Sequence, residues 1–176
     1  MIYQTLSPAY PEWTARFPGL QAGVLAAAEA AGARLVSMAN AYVYGRPARH
    51  PLTEDRATTP TPRRGSCAGG WRENCSQLIT PRVEVAIGRA SDYFGPRGGA
   101  QSNLGDRVFP AALAGKTATV LGDRDQPHTY TYIPDIGEGL AVLGEHSAAP
   151  GEVWHLPNDP HTRTTRQIVE TARQRS

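Results

Sequence analysis

The chain is poor in lysine, in cysteine and in charge. Among its 176 residues Lys116 is the single lysine, against seventeen arginines. That bias reflects GC-rich coding and carries no functional information. Charged residues make up 19% and the net charge is +2, too little to argue for nucleic acid, and no Lys/Arg block or aromatic-basic stripe occurs. Arg63-Arg64 is the one basic pair that stands out, and it reads as a solvated loop. Two cysteines, Cys67 and Cys75, do not make a disulfide scaffold, and their spacing is not that of a zinc knuckle or redox pair. No run approaches the ~18 apolar residues of a membrane span. The N-terminus lacks a basic region followed by an apolar stretch. The expectation is a soluble cytoplasmic protein with a small-molecule substrate and with neither nucleic-acid nor membrane partners.

Catalytic signatures are missing as well. GxGxxG is absent, and Gly69-Gly70 and Gly98-Gly99 do not stand between a strand and a helix as a dinucleotide loop must. There is no GxSxG elbow and no HExxH. His155, Asp159 and His161 lie within seven residues, but Pro157 and Pro160 interrupt any regular face, so a surface loop is favoured over a metal site. The carboxylate pairs Glu54-Asp55 and Asp123-Asp125 sit in turn-like sequence and read as turn or cap residues. Asp135 precedes a helix and reads as its cap, which leaves a crevice role open.

What is present is alternation. Leu20 to Ala31 predicts a helix that Pro18-Gly19 starts and Gly32 ends. Arg34 to Met38 reads as a strand, and Asn40 to Thr80 as a long aperiodic loop. Order returns with a strand at Arg82 to Ala86, inside the stretch VEVAIGRASDYFGP (Val83 to Pro96). There an apolar run passes without a break into a polar, aromatic, Gly-Pro loop. A buried parallel strand ending at a ligand crevice reads this way. Further on, the pattern predicts a helix over Asn103 to Ala114 interrupted near Pro110, and strands at Thr117 to Leu121 and Thr129 to Ile133. Asp135 to Leu143 reads as a helix, Glu152 to Leu156 as a strand and Thr164 to Arg173 as a last helix. The fold class is α/β with a largely parallel sheet.

These residues carry a resemblance. AAEAAGARLV followed by YVYG (Tyr42 to Gly45), then PLTED (Pro51 to Asp55), AIGRASDYFGP (Ala86 to Pro96), HTYTYIPDIGEGLAVL (His128 to Leu143) and VWHLP (Val153 to Pro157) resemble, in order and spacing, the NAD(P)-dependent epimerase/dehydratase family of extended short-chain dehydrogenase/reductases. The resemblance implies a partial Rossmann-like parallel sheet with a small C-terminal substrate-side lobe near residues 92 to 130. It implies NAD or NADP as cofactor and a nucleotide-sugar-like or other alcohol/carbonyl substrate. By the same resemblance Tyr44, Arg89, Asp92, Tyr93, Tyr130 and Asp135 face substrate and Asn40 faces cofactor. Asp92 stands where sugar-nucleotide members often have Asn.

The departures from the family pattern set further expectations. Its opening Gly-rich strand-helix units are missing, and Met1-Ile2-Tyr3 resembles the middle of the fourth strand, with Ser7-Pro8 after it. A fragment or a misplaced start is expected, with weak cofactor binding and an unpaired sheet edge prone to self-association, as in a homodimer. The family's Ser/Thr position falls on Ala39 or Asn40, and no Tyr has a Lys four residues on; Tyr42 has Arg46 at that spacing, which reads as a chance match. The catalytic set is therefore unmatched. Arg63 to Thr80 does not resemble the family helix. Read two bases on with GC-rich codons, Glu73 to Thr80 becomes ELLAAHHA, which suggests paired frameshifts, and sequencing the gene tests this. With Gly65, Gly69 and Gly70, each costing up to ~1 kcal/mol in a helix, the segment is expected to be poorly ordered. The readings that remain open are an impaired family enzyme, a non-catalytic cofactor- or ligand-sensing relative, and a non-functional gene remnant.

Overall fold

Short apolar strands alternating with helices assemble into a parallel sheet in a computed structural model that describes residues 1–45, 51–55 and 78–174. The strands are β1 (Ile2–Gln4), β2 (Leu35–Asn40), β3 (Val85–Ala90), β4 (Asp92–Phe94), β5 (Pro127–His128), β6 (Tyr130–Tyr132), β7 (Val153–His155) and β8 (Arg163–Thr164). The helices are α1 (Trp13–Ala30), α2 (Phe109–Leu113), α3 (Ile133–Glu145) and α4 (Thr165–Arg173). The chain divides into two units: Met1–Ala90 with Gly139–Leu156, and Ser91–Glu138 with Pro157–Ser176. The second takes in the lobe expected near residues 92 to 130.

In the first unit the sheet order is β1-β2-β3-β7, and every pair is parallel. The α/β class is as expected, with a Rossmann-like succession of strands. All six residues of β3 are buried, which explains a run without polar alternation: both faces are covered. The ladder opens at Val85 and not at Arg82, because Leu35↔Val85 is the first register pair and Val83 bridges back to Thr80. Gly88 lets Leu140, Leu143 and Leu156 close over the strand, since a Cβ there would stand 2.9 Å from Leu140 Cδ2.

Helix α1 begins at Trp13, well before the expected Leu20, and Pro18 lies inside it. A proline there removes one backbone bond and costs about 3 kcal/mol. Trp13 and Phe17, one turn apart, are both buried, and the Trp13 Nε1–H donates to Pro8 O at 2.7 Å. Burial of two such side chains, about 1.5–3 kcal/mol each, offsets the missing bond. The helix ends as the sequence predicts. Gly32 takes φ +55°, its N–H bonds Glu29 O, and the Ala33 N–H bonds Ala28 O, the double closure of a Schellman turn.

The second unit holds two small sheets, β4-β6 parallel and β5-β8 antiparallel. Pro110 does not interrupt a long helix; it lies in the first turn of the short α2, where a missing N–H is harmless. The predicted strand at Thr117 to Leu121 is absent: Ala118 and Val120 turn partly inward while their neighbours are exposed, but no ladder partner lies alongside. Helix α3 starts at Ile133, so Asp135 sits within its first turn, exposed, and favours the helix dipole instead of capping it. Thr164 caps α4 in a reciprocal box with Gln167. The expectations for Arg63-Arg64, Cys67, Cys75, Gly69-Gly70, Arg46 and the segment up to Gln77 lie outside the described residues.

Candidate functional site

Two groups of side chains gather chemistry, one in each unit. In the first, parallel register sets Arg89 of β3 beside Ala39 of β2 and His155 of β7, at the carboxyl ends of three strands. Asn40 ends β2, and its Oδ1 accepts from the Tyr42 N–H at 3.0 Å, capping the short turn that carries Tyr44 inward. Tyr44 is 3% exposed and Arg89 5%. Arg89 Nη1 donates to the Tyr44 hydroxyl at 2.7 Å, and that hydroxyl lies 2.7 Å from His155 Nε2. The Arg89 guanidinium carbon lies 4.9 Å from the Tyr44 ring centroid, and Arg89 Nε is buried with no hydrogen-bond acceptor among the described residues.

The directions of these bonds follow from the donors. A guanidinium only donates, so the Tyr44 oxygen accepts from Arg89 and its own hydrogen points at His155 Nε2. With a neutral imidazole, this arrangement assigns the ring proton to Nδ1. Nδ1 lies 4.0 Å from Glu54 Oε1, and the same oxygen accepts the His155 backbone N–H at 2.8 Å. Burial holds the His155 imidazolium below its ordinary range; Glu54 opposes this and Arg89 reinforces it. Burial pushes the Glu54 carboxyl up, but the backbone N–H groups of His155 and of Glu54 itself, together with the charge of His155, outweigh it and leave it lowered.

In the second unit β4 and β6 set Asp92 opposite Tyr130. Asp92 Oδ2 accepts from Asn103 Nδ2 at 2.7 Å and lies 2.8 Å from His128 Nε2. The His128 ring rests 4.6 Å from that of Tyr130, whose hydroxyl meets Thr165 Oγ1 at 3.1 Å. Burial raises the Tyr130 phenol above its ordinary value; the Thr165 bond lowers it and the Asp92 charge raises it further. A cavity of about 510 Å³ opens beside them. Phe94, Leu104, Phe109 and Ile168 line it, with His128, Tyr130, Asp159 and Arg163 also among the lining residues. Its volume falls within the range of small-molecule sites.

The structure thus brings Tyr44 and Arg89 together, and Asp92 and Tyr130 together. Tyr93 offers its backbone oxygen to Ser102 Oγ at 2.7 Å. Asp135 faces solvent on α3. Sequence reasoning missed the partners: Glu54 was read as a turn residue, His155 was weighed only as a metal ligand, and His128, Asn103 and Thr165 were not singled out. Asp159 and His161 pair with each other in their loop, at 2.7 Å from the His161 N–H to Asp159 Oδ1. Among the described residues no three His, Cys, Asp or Glu side chains are placed to hold a metal ion, and no helix is long and apolar enough to cross a membrane.

Comparison with known proteins places this geometry. The model of the NAD dependent epimerase/dehydratase family matches residues 19–156. The chain is 31% identical over 131 residues to UDP-glucuronic acid decarboxylase 1 of Xenopus tropicalis, a match covering 68% of this chain and 30% of that one. It is 31% identical over 136 residues to UDP-glucuronic acid decarboxylase 2 of Arabidopsis thaliana, covering 70% and 30%. The fold superposes on UDP-glucuronic acid 4-epimerase from Bacillus cereus in complex with NAD at TM-score 0.78 and 18% identity, covering 98% of this chain and 58% of that one. It superposes on dTDP-glucose 4,6-dehydratase from Bacillus anthracis, also with NAD, at 0.77 and 20%, covering 97% and 55%. The chain spans about a third of the length of these curated relatives, 30% of each, and a little over half of these solved chains.

The described residues do not fit a dinucleotide. Among them no glycine-rich turn joins a strand of the four-stranded sheet to a helix, and the passage from β1 to α1, residues 5–12, contains no glycine. A pyrophosphate needs such a turn for close backbone approach. The Asn40 carboxamide oxygen is already committed to the Tyr42 N–H.

Proposed function

The chain belongs to the NAD dependent epimerase/dehydratase family, and on that premise we propose that it recognises a nucleotide sugar through its second unit, the substrate side of such an enzyme. The observation that carries this reading is the cavity walled by Phe94, Leu104, Phe109 and Ile168 with Arg163, His128 and Tyr130 among its polar lining. Apolar walls suit a base and a sugar face, and a guanidinium suits a diphosphate. The curated relatives named for UDP-glucuronic acid support the choice of ligand. Asp92 acts through His128: it fixes the ring that lines the cavity.

Calorimetric titration of the full chain with UDP, UDP-glucuronic acid and dTDP-glucose tests this. We expect saturable binding of at least one, weakened about tenfold or more by Arg163→Gln, the loss of one charge-assisted contact. No heat with any of the three sinks the reading. NAD(H) and NADP(H) are expected to bind weakly, since no described turn cradles their pyrophosphate; submicromolar affinity overturns that part.

A second reading, a binding relative without turnover, draws support from one position. Ala39 is buried and has no hydroxyl, and Asn40 spends its side chain as a cap. Formation of a modified sugar from any ligand that binds, with NAD supplied, excludes it.

A further inference from the structure

Arg89, Tyr44, His155 and Glu54 form a chain of contacts in the first unit. Arg89 donates to Tyr44 and Tyr44 donates to His155 Nε2, both at 2.7 Å. The other ring nitrogen faces the Glu54 carboxylate at 4.0 Å, too far for a hydrogen bond but close enough for attraction once charged. The groups facing the imidazole in this unit are Tyr44 after β2, Arg89 on β3 and Glu54 in the segment 51–55. Two are charged, of opposite sign, on opposite sides of the ring.

We propose that His155 is a proton-operated switch: neutral, it is the acceptor that holds the Tyr44 hydroxyl; protonated, it turns to Glu54 and releases Tyr44. A second proton on the ring converts Nε2 from acceptor to donor. Among the described residues the Tyr44 hydrogen then has no other acceptor, and the Tyr44 oxygen would have two cationic donors, Arg89 and His155, crowded on it. On the other side Nδ1–H meets a carboxylate. The Glu54 carboxyl is held below its ordinary value, and its charge opposes the burial that lowers the His155 imidazolium. The same Glu54 oxygen ties the segment 51–55 to the His155 backbone, so the turn of the ring acts on that segment as well as on Tyr44. The inference rests on the geometry of the first unit alone and does not depend on what the second unit binds.

Two-dimensional NMR of the full chain with labelled histidine reads the switch directly, His155 being assigned by loss of its signal in His155→Gln. At pH 8 the ring is expected as the Nδ1–H tautomer. Its titration midpoint is expected below the ordinary histidine value of 6.5. Tyr44→Phe removes the hydrogen bond that favours the neutral ring and raises the midpoint by about 0.5–1 pH unit. Glu54→Gln removes the charge that favours the cation and lowers it by a similar amount. Opposite signs from the two variants support the switch. An Nε2–H tautomer at pH 8, or a midpoint at or above the ordinary 6.5, overturns it. If Tyr44→Phe does not fold, Glu54→Gln on its exposed segment still decides: an unchanged midpoint there overturns the proposal.

Discussion

At the scale of single residues, the backbone shows where the chain accepts strain and where it has none to spare. Gly98 N–H bonds Gly95 O at 3.1 Å, closing a turn with Pro96 and Arg97 at its centre, and Arg97 takes φ +62°. Proline followed by a positive φ is a type II turn, whose third position favours glycine. An L side chain there costs about 1–2 kcal/mol, and glycine loses about half of that gain to unfolded-state entropy. Arg97→Gly is therefore expected to stabilise the chain by about 0.5–1 kcal/mol, read as a higher urea midpoint. Gly88 is the opposite case. A methyl group there would meet Leu140, Leu143 and Leu156 at 2.9, 3.1 and 3.1 Å. Gly88→Ala is expected to destabilise by about 1–3 kcal/mol through overpacking, and an unchanged midpoint would show that the three leucines have room to give.

At the scale of elements, the C-terminus of α3 depends on a residue far away in sequence. Arg34 Nη1 donates to Gly144 O at 2.7 Å and lies 3.3 Å from His146 O, while its Nε pairs with Glu84. The Gly144 carbonyl has no partner within the helix, the His146 carbonyl just beyond it also accepts the Ala149 N–H, and the cation meets the negative end of the dipole. Arg34→Met is expected to cost about 1.5–3 kcal/mol, the range for a charge-assisted bond. Glu84→Gln is expected to cost far less, because Glu84 is 65% exposed and its ion pair is screened. Comparable losses in thermal melts of the two variants would refute that division. What the sequence revealed of the elements follows the same logic. Gly32 ended α1 as read, because a Schellman turn is a local matter of one glycine. The start of α1 was misread because Pro18 is a local signal, while the burial of Trp13 and Phe17 is a tertiary one. Thr117 to Leu121 kept its alternation and made no strand, because alternation marks which side faces inward and does not supply a partner strand.

At the scale of the whole molecule, the parallel sheet and the strand-end location of Arg89 and Tyr44 were legible, since an unbroken apolar run passing into a polar loop is a sequence property. Glu54 and His155, about a hundred residues apart, were not, because strand register sets His155 beside Arg89 and a single bond from the His155 backbone N–H holds Glu54 there. That cluster gives overall stability a definite dependence on pH. The folded chain holds the His155 proton less tightly than the ordinary value of 6.5. As pH falls below about 6.5 the unfolded state takes up that proton first, and stability is lost through the folded midpoint. Glu54 is held below 4.5, so its contribution is present above that value and is lost in a second, more acidic step. Tyr130 is raised above 10.0, so its contribution is present below that pH and is lost on further alkalinisation. The denaturation midpoint is expected to be flat from about pH 7 to 9, to fall in two acid steps, and to fall again above about pH 10. His155→Gln is expected to remove the first acid step and leave the second, and Glu54→Gln to reduce the second, to which Asp125 and Asp159, also held below their ordinary value, contribute. A His155→Gln profile with the same slope as the parent between about pH 5 and 6.5 would mean that His155 is not the group whose protonation opens the fold.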